Sequence, residues 1–116
     1  MHFITKPENL SLDNWTICCA GLENAKSAKV SYYSFEMEGR IEWLIHSLFV
    51  DCKYRRQGVA RQLLEEAIRQ IRDKGHDGEI YIGATPYHIG GPNREQLTKF
   101  YQGMGLTVTN GYTEAC

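Results

Sequence analysis

The sequence predicts an α/β domain built on a mixed antiparallel/parallel β-sheet flanked by helices. Three observations predict it. Apolar and aromatic runs separated by turn formers fill residues 14–51, an amphipathic helical pattern occupies 58–74, and that pattern lies between two strand-like runs at 41–51 and 79–86. A strand, a helix and a second strand in that order make a βαβ unit with parallel pairing, whereas the preceding runs are joined closely enough to pair antiparallel. At 116 residues the chain is most simply one domain, 1–116, able to bury roughly two thirds of its unfolded surface.

Residues 14–21 (NWTICCAG) and 28–37 (AKVSYYSFEM) are rich in β-branched and aromatic side chains, and Glu23-Asn24-Ala25-Lys26 supplies a turn between them. Glu38-Gly39-Arg40 makes a tight connection into 41–51 (IEWLIHSLFVD), giving a three-strand meander. In that third strand the apolar phase runs Ile41, Trp43, Ile45 and then shifts to Leu48 and Val50. A bulge near His46-Ser47 would restore the inward register; the alternative is a central strand covered on both faces. No element is assigned before Asn14.

The helix over 58–74 carries one apolar stripe, Val59, Ala60, Leu63, Leu64, Ala67, Ile68 and Ile71. Arg61, Glu65, Arg69 and Arg72 take the other face, with i,i+4 pairs expected at Arg61/Glu65 and Glu65/Arg69. Gly75 stops the helix, and His76-Asp77-Gly78 turns the chain into the strand-like EIYIGATP of 79–86. Pro92 and Asn93 start a second helix, in which Leu97, Phe100, Tyr101 and Met104 share a face; Gly105 ends it, and 106–110 form a last short strand.

Composition excludes several classes. With 42% hydrophobic residues, 23% charged residues and a formal net charge of −1, the chain has no basic field to attract nucleic acid. Cys18, Cys19, Cys52 and Cys116 lack Cys-x-x-Cys spacing, and no His-x-x-x-His completes a metal site, so no metal is expected and reduced thiols in the cytoplasm are the simpler reading. No apolar run reaches the length of a membrane span, and MHFITKPENL is not a signal peptide.

The run Arg55-Arg56-Gln57-Gly58-Val59-Ala60 is where an anion belongs. It joins a strand to a helix whose first N–H groups lack intrahelical partners, and it adds two arginines to the positive end of the helix dipole. Gly58 lets an oxygen approach its N–H closely, and Ala60 is the next smallest residue. The loop is too short for a nucleotide-hydrolase P-loop and lacks the three glycines of a dinucleotide fingerprint.

Arg55-x-x-Gly58-x-Ala60 resembles the acyl-CoA loop, Gln/Arg-x-x-Gly-x-Gly/Ala, of the GNAT superfamily of N-acetyltransferases. Residues 97–106 resemble a second stretch of that family, a helix carrying an aromatic pair that ends in Tyr and stops at Gly-Phe/Leu, here Phe100-Tyr101 and Gly105-Leu106. Between them EIYIGATP stands where the family places a strand that splays away to admit the cofactor. The resemblance covers roughly 13–110 and implies a GNAT-like sheet with a reduced N-terminal helical region.

The resemblance implies acetyl-CoA as cosubstrate and a primary amine as acceptor, a protein lysine or N-terminus among the options, with no nucleic acid or membrane partner; it also admits a homodimer. The N–H groups of Gln57, Gly58, Val59 and Ala60 would hold the pyrophosphate with help from Arg55 and Arg56, and backbone groups of Leu48 and Val50 would hold the pantetheine. Tyr101 matches the family's general acid; its ordinary alternative is a core tyrosine. Glu42 is the first candidate base, with an outward-facing strand glutamate as its alternative, and Glu36, His46 and His88 stand behind it. Two departures follow. Arg94 occupies the position, seven before the tyrosine, where the family often has asparagine, and the segment before Asn14 is too short for the helices that usually roof the acceptor site. A GNAT-like module that binds CoA or a protein without turnover is the alternative function.

Overall fold

Every strand lies beside its sequence neighbour, so the sheet order is β1-β2-β3-β4-β5-β6. The computed structural model describes residues 3–9, 13–19, 28–50, 58–83 and 93–109. Its elements are β1 (Phe3–Asn9), β2 (Asn14–Cys19), β3 (Ala28–Met37), β4 (Arg40–Val50), α1 (Val59–Asp73), β5 (Ile80–Gly83), α2 (Arg94–Gly103) and β6 (Thr107–Thr109). The first four strands form an antiparallel meander, and β4, β5 and β6 pair in parallel. The mixed sheet expected from the sequence is therefore present, with one strand more than expected at its start. β1 contains Lys6 and Pro7, poor strand residues that an edge position tolerates because one side of the strand has no ladder to complete.

Glu38 and Gly39 both adopt positive φ, 52° and 79°, the pattern of the mirror-image turns that fit the twist of a two-strand hairpin. Register then sorts the sheet into two faces. Trp15 and Tyr32, Tyr32 and Ile45, Trp43 and Ile80, and Ile45 and Ile82 are cross-strand partners. Their face meets α1 through Val59, Leu63, Leu64, Ala67 and Ile71 in one buried cluster that also holds Tyr101. The crossovers from β4 to β5 and from β5 to β6 step the same way across the sheet, and the right-handedness general to such connections accounts for both helices lying on this face. The Arg61 guanidinium, 5.5 Å from the centre of the Phe100 ring, fixes the two helices side by side.

The far end of α1 is tied to the sheet by polar contacts. Gln70 accepts a hydrogen bond from the Tyr32 hydroxyl (2.6 Å) and donates to Thr5 (2.8 Å) and Glu66 (2.9 Å), joining α1 to β1 and β3. Thr5, Trp15 and Tyr32 with Arg69, Gln70, Asp73 and Lys74 line a cleft of about 260 Å³, where Lys74 lies over the Trp15 ring at 4.6 Å. Arg69 pairs with Glu66 and, at 2.7 Å, with Asp73, rather than with Glu65 as the helical spacing suggested. Both i,i+3 and i,i+4 neighbours are within reach on a helix, and Glu66 lies nearer the sheet, where Gln70 also engages it.

This network makes stability depend on pH at both ends. The hydrogen bond from Arg69 holds the Glu66 carboxyl below its ordinary range, with Gln70 adding to the effect. The contribution is complete above the unfolded-state value, about 4.3, and is lost as pH falls through the lower folded value. Burial pushes the Tyr32 hydroxyl up, reinforced by the charges of Asp13 and Glu66. That contribution is complete below about 10 and is lost as pH rises toward the folded value. Glu66→Gln is expected to flatten the acid limb of thermal stability measured against pH, and Tyr32→Phe the alkaline limb.

Candidate active site

The strand-to-helix turn ends in Gly58, the N-cap of α1, at φ 73° and ψ 11°. That left-handed conformation is open to glycine and strained for residues with a Cβ. A Cβ there would meet nothing closer than the Gln62 side-chain amide at 3.9 Å. Backbone conformation rather than crowding inside the protein is what demands glycine. The Gln62 N–H donates to the Gly58 carbonyl at 3.0 Å, which leaves the N–H groups of Gly58, Val59, Ala60 and Arg61 without a partner inside the helix. The first turn carries no acidic residue and no side-chain cap. Arg61 was missed in the sequence because the fourth donor can be counted only once the N-cap is fixed at Gly58. Arg55, Arg56 and Gln57 lie outside the described residues.

β4 carries the expected irregularity. Ser31 pairs with His46 and Lys29 with Phe49, so two steps on β3 match three on β4, and one extra residue is inserted between His46 and Phe49. The insertion shifts the buried phase from Trp43 and Ile45 to Leu48, which is 8% exposed, and half-buried Val50. The described ladder between β4 and β5 covers 43–45 opposite 80–82 and ends at Ile45, immediately before the bulge.

Tyr101 is held by the end of α2. The Gly105 N–H donates to Gln102 and the Leu106 N–H to Tyr101 (3.0 and 3.1 Å), with Gly105 at φ 83°. This is a Schellman cap in which Tyr101 is the third residue from the helix end, and Leu106 is buried with it. The spacing Tyr-x-x-x-Gly-Leu thus fixes where the tyrosine stands. Tyr101 is 2% exposed, lies in the buried cluster that also holds Val59 of α1, and follows Phe100, the ring beneath Arg61. At the other end, the Asn93 side chain accepts from the Gln96 N–H while the Gln96 side chain accepts from the Asn93 N–H. That capping box engages Asn93, and the family's asparagine position remains Arg94, which is exposed.

Glu42 and His46 lie on the sheet face opposite the helices. Glu42 is across from Phe35 and 3.9 Å from Arg40, with its side chain 13% exposed. Leu44 is buried between its register partners Tyr33 and Tyr81, outside the main core. Tyr81 donates to Glu79 at 3.1 Å; that bond, then desolvation and the charge of Glu42, push its hydroxyl up. His46 is half-buried, with its ring edge-on to Tyr33 at 5.0 Å. Glu36 is exposed and paired with Ile41, which puts it on the helix side, and His88 lies outside the described residues. The described residues with acid–base chemistry therefore fall into two groups: Tyr101 and Glu36 on the helix side, and Glu42 with His46 on the other.

A mixed sheet with a bulged fourth strand, a following helix whose N-terminus is uncapped, and a second helix ending on a buried tyrosine is the arrangement expected of a GNAT-like α/β domain. Residues 14–107 match the model of the acetyltransferase (GNAT) domain, and the chain belongs to the GNAT family. A crystal structure of an acetyltransferase from Trypanosoma brucei is similar in fold, with a TM-score of 0.65 at 18% identity over 86% of this chain. The match spans 66% of that chain, just under two thirds of its length. No curated protein matches the sequence. Among the described residues, no helix is long and apolar enough to cross a membrane.

Proposed function

We propose that the chain is an N-acetyltransferase that moves an acetyl group from acetyl-CoA to a primary amine. The observation that carries the reading is the uncapped N-terminus of α1 at Gly58, on the helix that follows bulged β4 in the chain within a GNAT domain. The donor set fits the coenzyme: four backbone N–H groups at the positive end of a helix, with no carboxylate in the first turn, suit a diphosphate. Acetyl-CoA supplies an activated acetyl thioester. In this reading the amides of 58–61 bind the diphosphate together with Arg55, Arg56 and the Gln57 N–H, while main-chain groups of Leu48 and Val50 hold the pantetheine arm.

Tyr101 supplies a proton to the departing sulfur. Its fixed place at the end of α2, in the buried cluster that also holds Val59 of α1, supports that role. Glu42 serves as the carboxylate that draws the acceptor's proton, through water, on the sheet face opposite the helices. An amine on a protein lysine or N-terminus suits an acceptor side where, among the described residues, no helix packs over Tyr33, Leu44 and Tyr81. Calorimetry with acetyl-CoA and with desulfo-CoA tests the assignment: saturable binding of both is expected, and no binding at physiological salt would overturn it. Mass spectrometry of cell extract incubated with the protein and labelled acetyl-CoA then names the acceptor. A module that binds without turnover would pass the first measurement and label nothing in the second.

A further inference from the structure

We infer that Phe100 is a positioning residue for Tyr101, tied to the diphosphate site by the Arg61 guanidinium stacked on its ring. The inference rests on the reading of the chain as an acetyl-CoA-dependent enzyme. It starts from a charge in an unfavourable place. Arg61 stands in the first turn of α1, where the helix dipole is already positive and no acidic residue offsets it. Glu65, one turn further on and also exposed, is within reach, yet among the described residues Arg61 makes no ion pair, whereas Arg40 and Arg69 each meet a carboxylate. The i,i+4 pair expected at Arg61/Glu65 is thus not formed, and a cation preceding glutamate is the weaker order for such a pair. The guanidinium lies instead over the Phe100 ring, 5.5 Å from its centre. A cation held by an aromatic face keeps its charge free for an anion.

Helical side chains tilt back toward the N-terminus, so the head of Arg61 leans toward the N–H groups of the first turn, on the side that faces α2. A diphosphate bound to those amides therefore has the guanidinium at its flank. The next contact leads to the tyrosine. The Phe100 and Tyr101 rings are 5.6 Å apart; Phe100 is half-buried under Arg61, and Tyr101 lies in the cluster that holds Val59. Consecutive residues of a helix point about 100° apart and are rigidly joined, so Phe100 cannot shift without turning the end of α2 and carrying Tyr101 with it. Phosphate, guanidinium, ring and tyrosine then form one contiguous chain of contacts across the two helices.

A double-mutant cycle on the full chain tests the link, with calorimetry for acetyl-CoA affinity and thiol release in the presence of poly-L-lysine for kcat. Arg61→Gln is expected to weaken acetyl-CoA binding about tenfold and, at saturating acetyl-CoA, to lower kcat about fivefold. A phosphate contact with no tie to the tyrosine would raise KM and leave kcat alone. Phe100→Leu should weaken binding about fivefold, although neither side chain can bond to phosphate, and should lower kcat as Arg61→Gln does. The double variant should bind no more weakly than Arg61→Gln. Phe100→Tyr, which keeps a ring under the guanidinium, should lose less of both quantities than Phe100→Leu. Losses that add in the double variant, or a wild-type kcat in Arg61→Gln, would overturn the inference while leaving the enzyme intact, and the second of these does not depend on Phe100→Leu folding. Failure of the wild-type protein to bind acetyl-CoA would remove the parent reading and this one with it, and calorimetry separates the two failures.

Discussion

Gly58→Val is expected to weaken acetyl-CoA binding at least 100-fold while α1 remains folded. The N-cap sits at φ 73°, where a Cβ costs on the order of 1–2 kcal/mol and a β-branched side chain more. That strain can be relieved only by turning the peptide that presents the N–H groups of 58–61, and the same side chain stands beside the space an oxygen must enter. Each 1.4 kcal/mol is tenfold in affinity, so misaligning two or more charge-assisted hydrogen bonds accounts for the expected loss. Gly58→Ala should fall between the two, since no protein atom crowds its Cβ. Calorimetry with acetyl-CoA, alongside circular dichroism of the helix, checks the result. Wild-type affinity in the valine variant would mean that the turn does not touch the coenzyme.

Tyr101→Phe carries the second large effect, a fall in kcat of about 100-fold or more with acetyl-CoA affinity nearly unchanged. Phenylalanine preserves the ring that packs beside Phe100 and within the main core, so the helix end and its Schellman cap stay in place. Only the hydroxyl is lost. A thiolate that must leave unprotonated slows turnover without loosening the grip on diphosphate. Single-turnover thiol release and equilibrium binding on the same variant separate the two quantities. Unchanged turnover would return Tyr101 to the role of a core residue.

Much of this arrangement was legible in the residues. The stripe of α1 is continuous because its apolar residues recur at helical spacing, and Gly75 and Gly105 adopt the positive φ that a helix end requires. The phase change from Ile45 to Leu48 revealed the bulge, since a strand with one buried face cannot move its apolar residues from odd to even positions without an inserted residue. β1 was hidden because an edge strand can carry lysine and proline without exposing a hydrophobic face. The partners of Arg69 were hidden too: spacing admits Glu65 and Glu66 alike, and the Gln70 contact to Thr5 on β1 draws Glu66 into the network. In the site, the helix terminus and Tyr101 could be named from short motifs. That Glu42 and His46 share one face of the sheet while Glu36 lies on the other needed the register.

The account turns on the main-chain nitrogens at the start of α1. Amide nitrogen–proton correlation spectra of the isotopically labelled protein, titrated with CoA, read those nitrogens one by one. The largest shifts are predicted at Gly58, Val59, Ala60 and Arg61, saturating together and abolished in Gly58→Val. Saturable shifts confined to other residues, with these four amides unmoved, would contradict it.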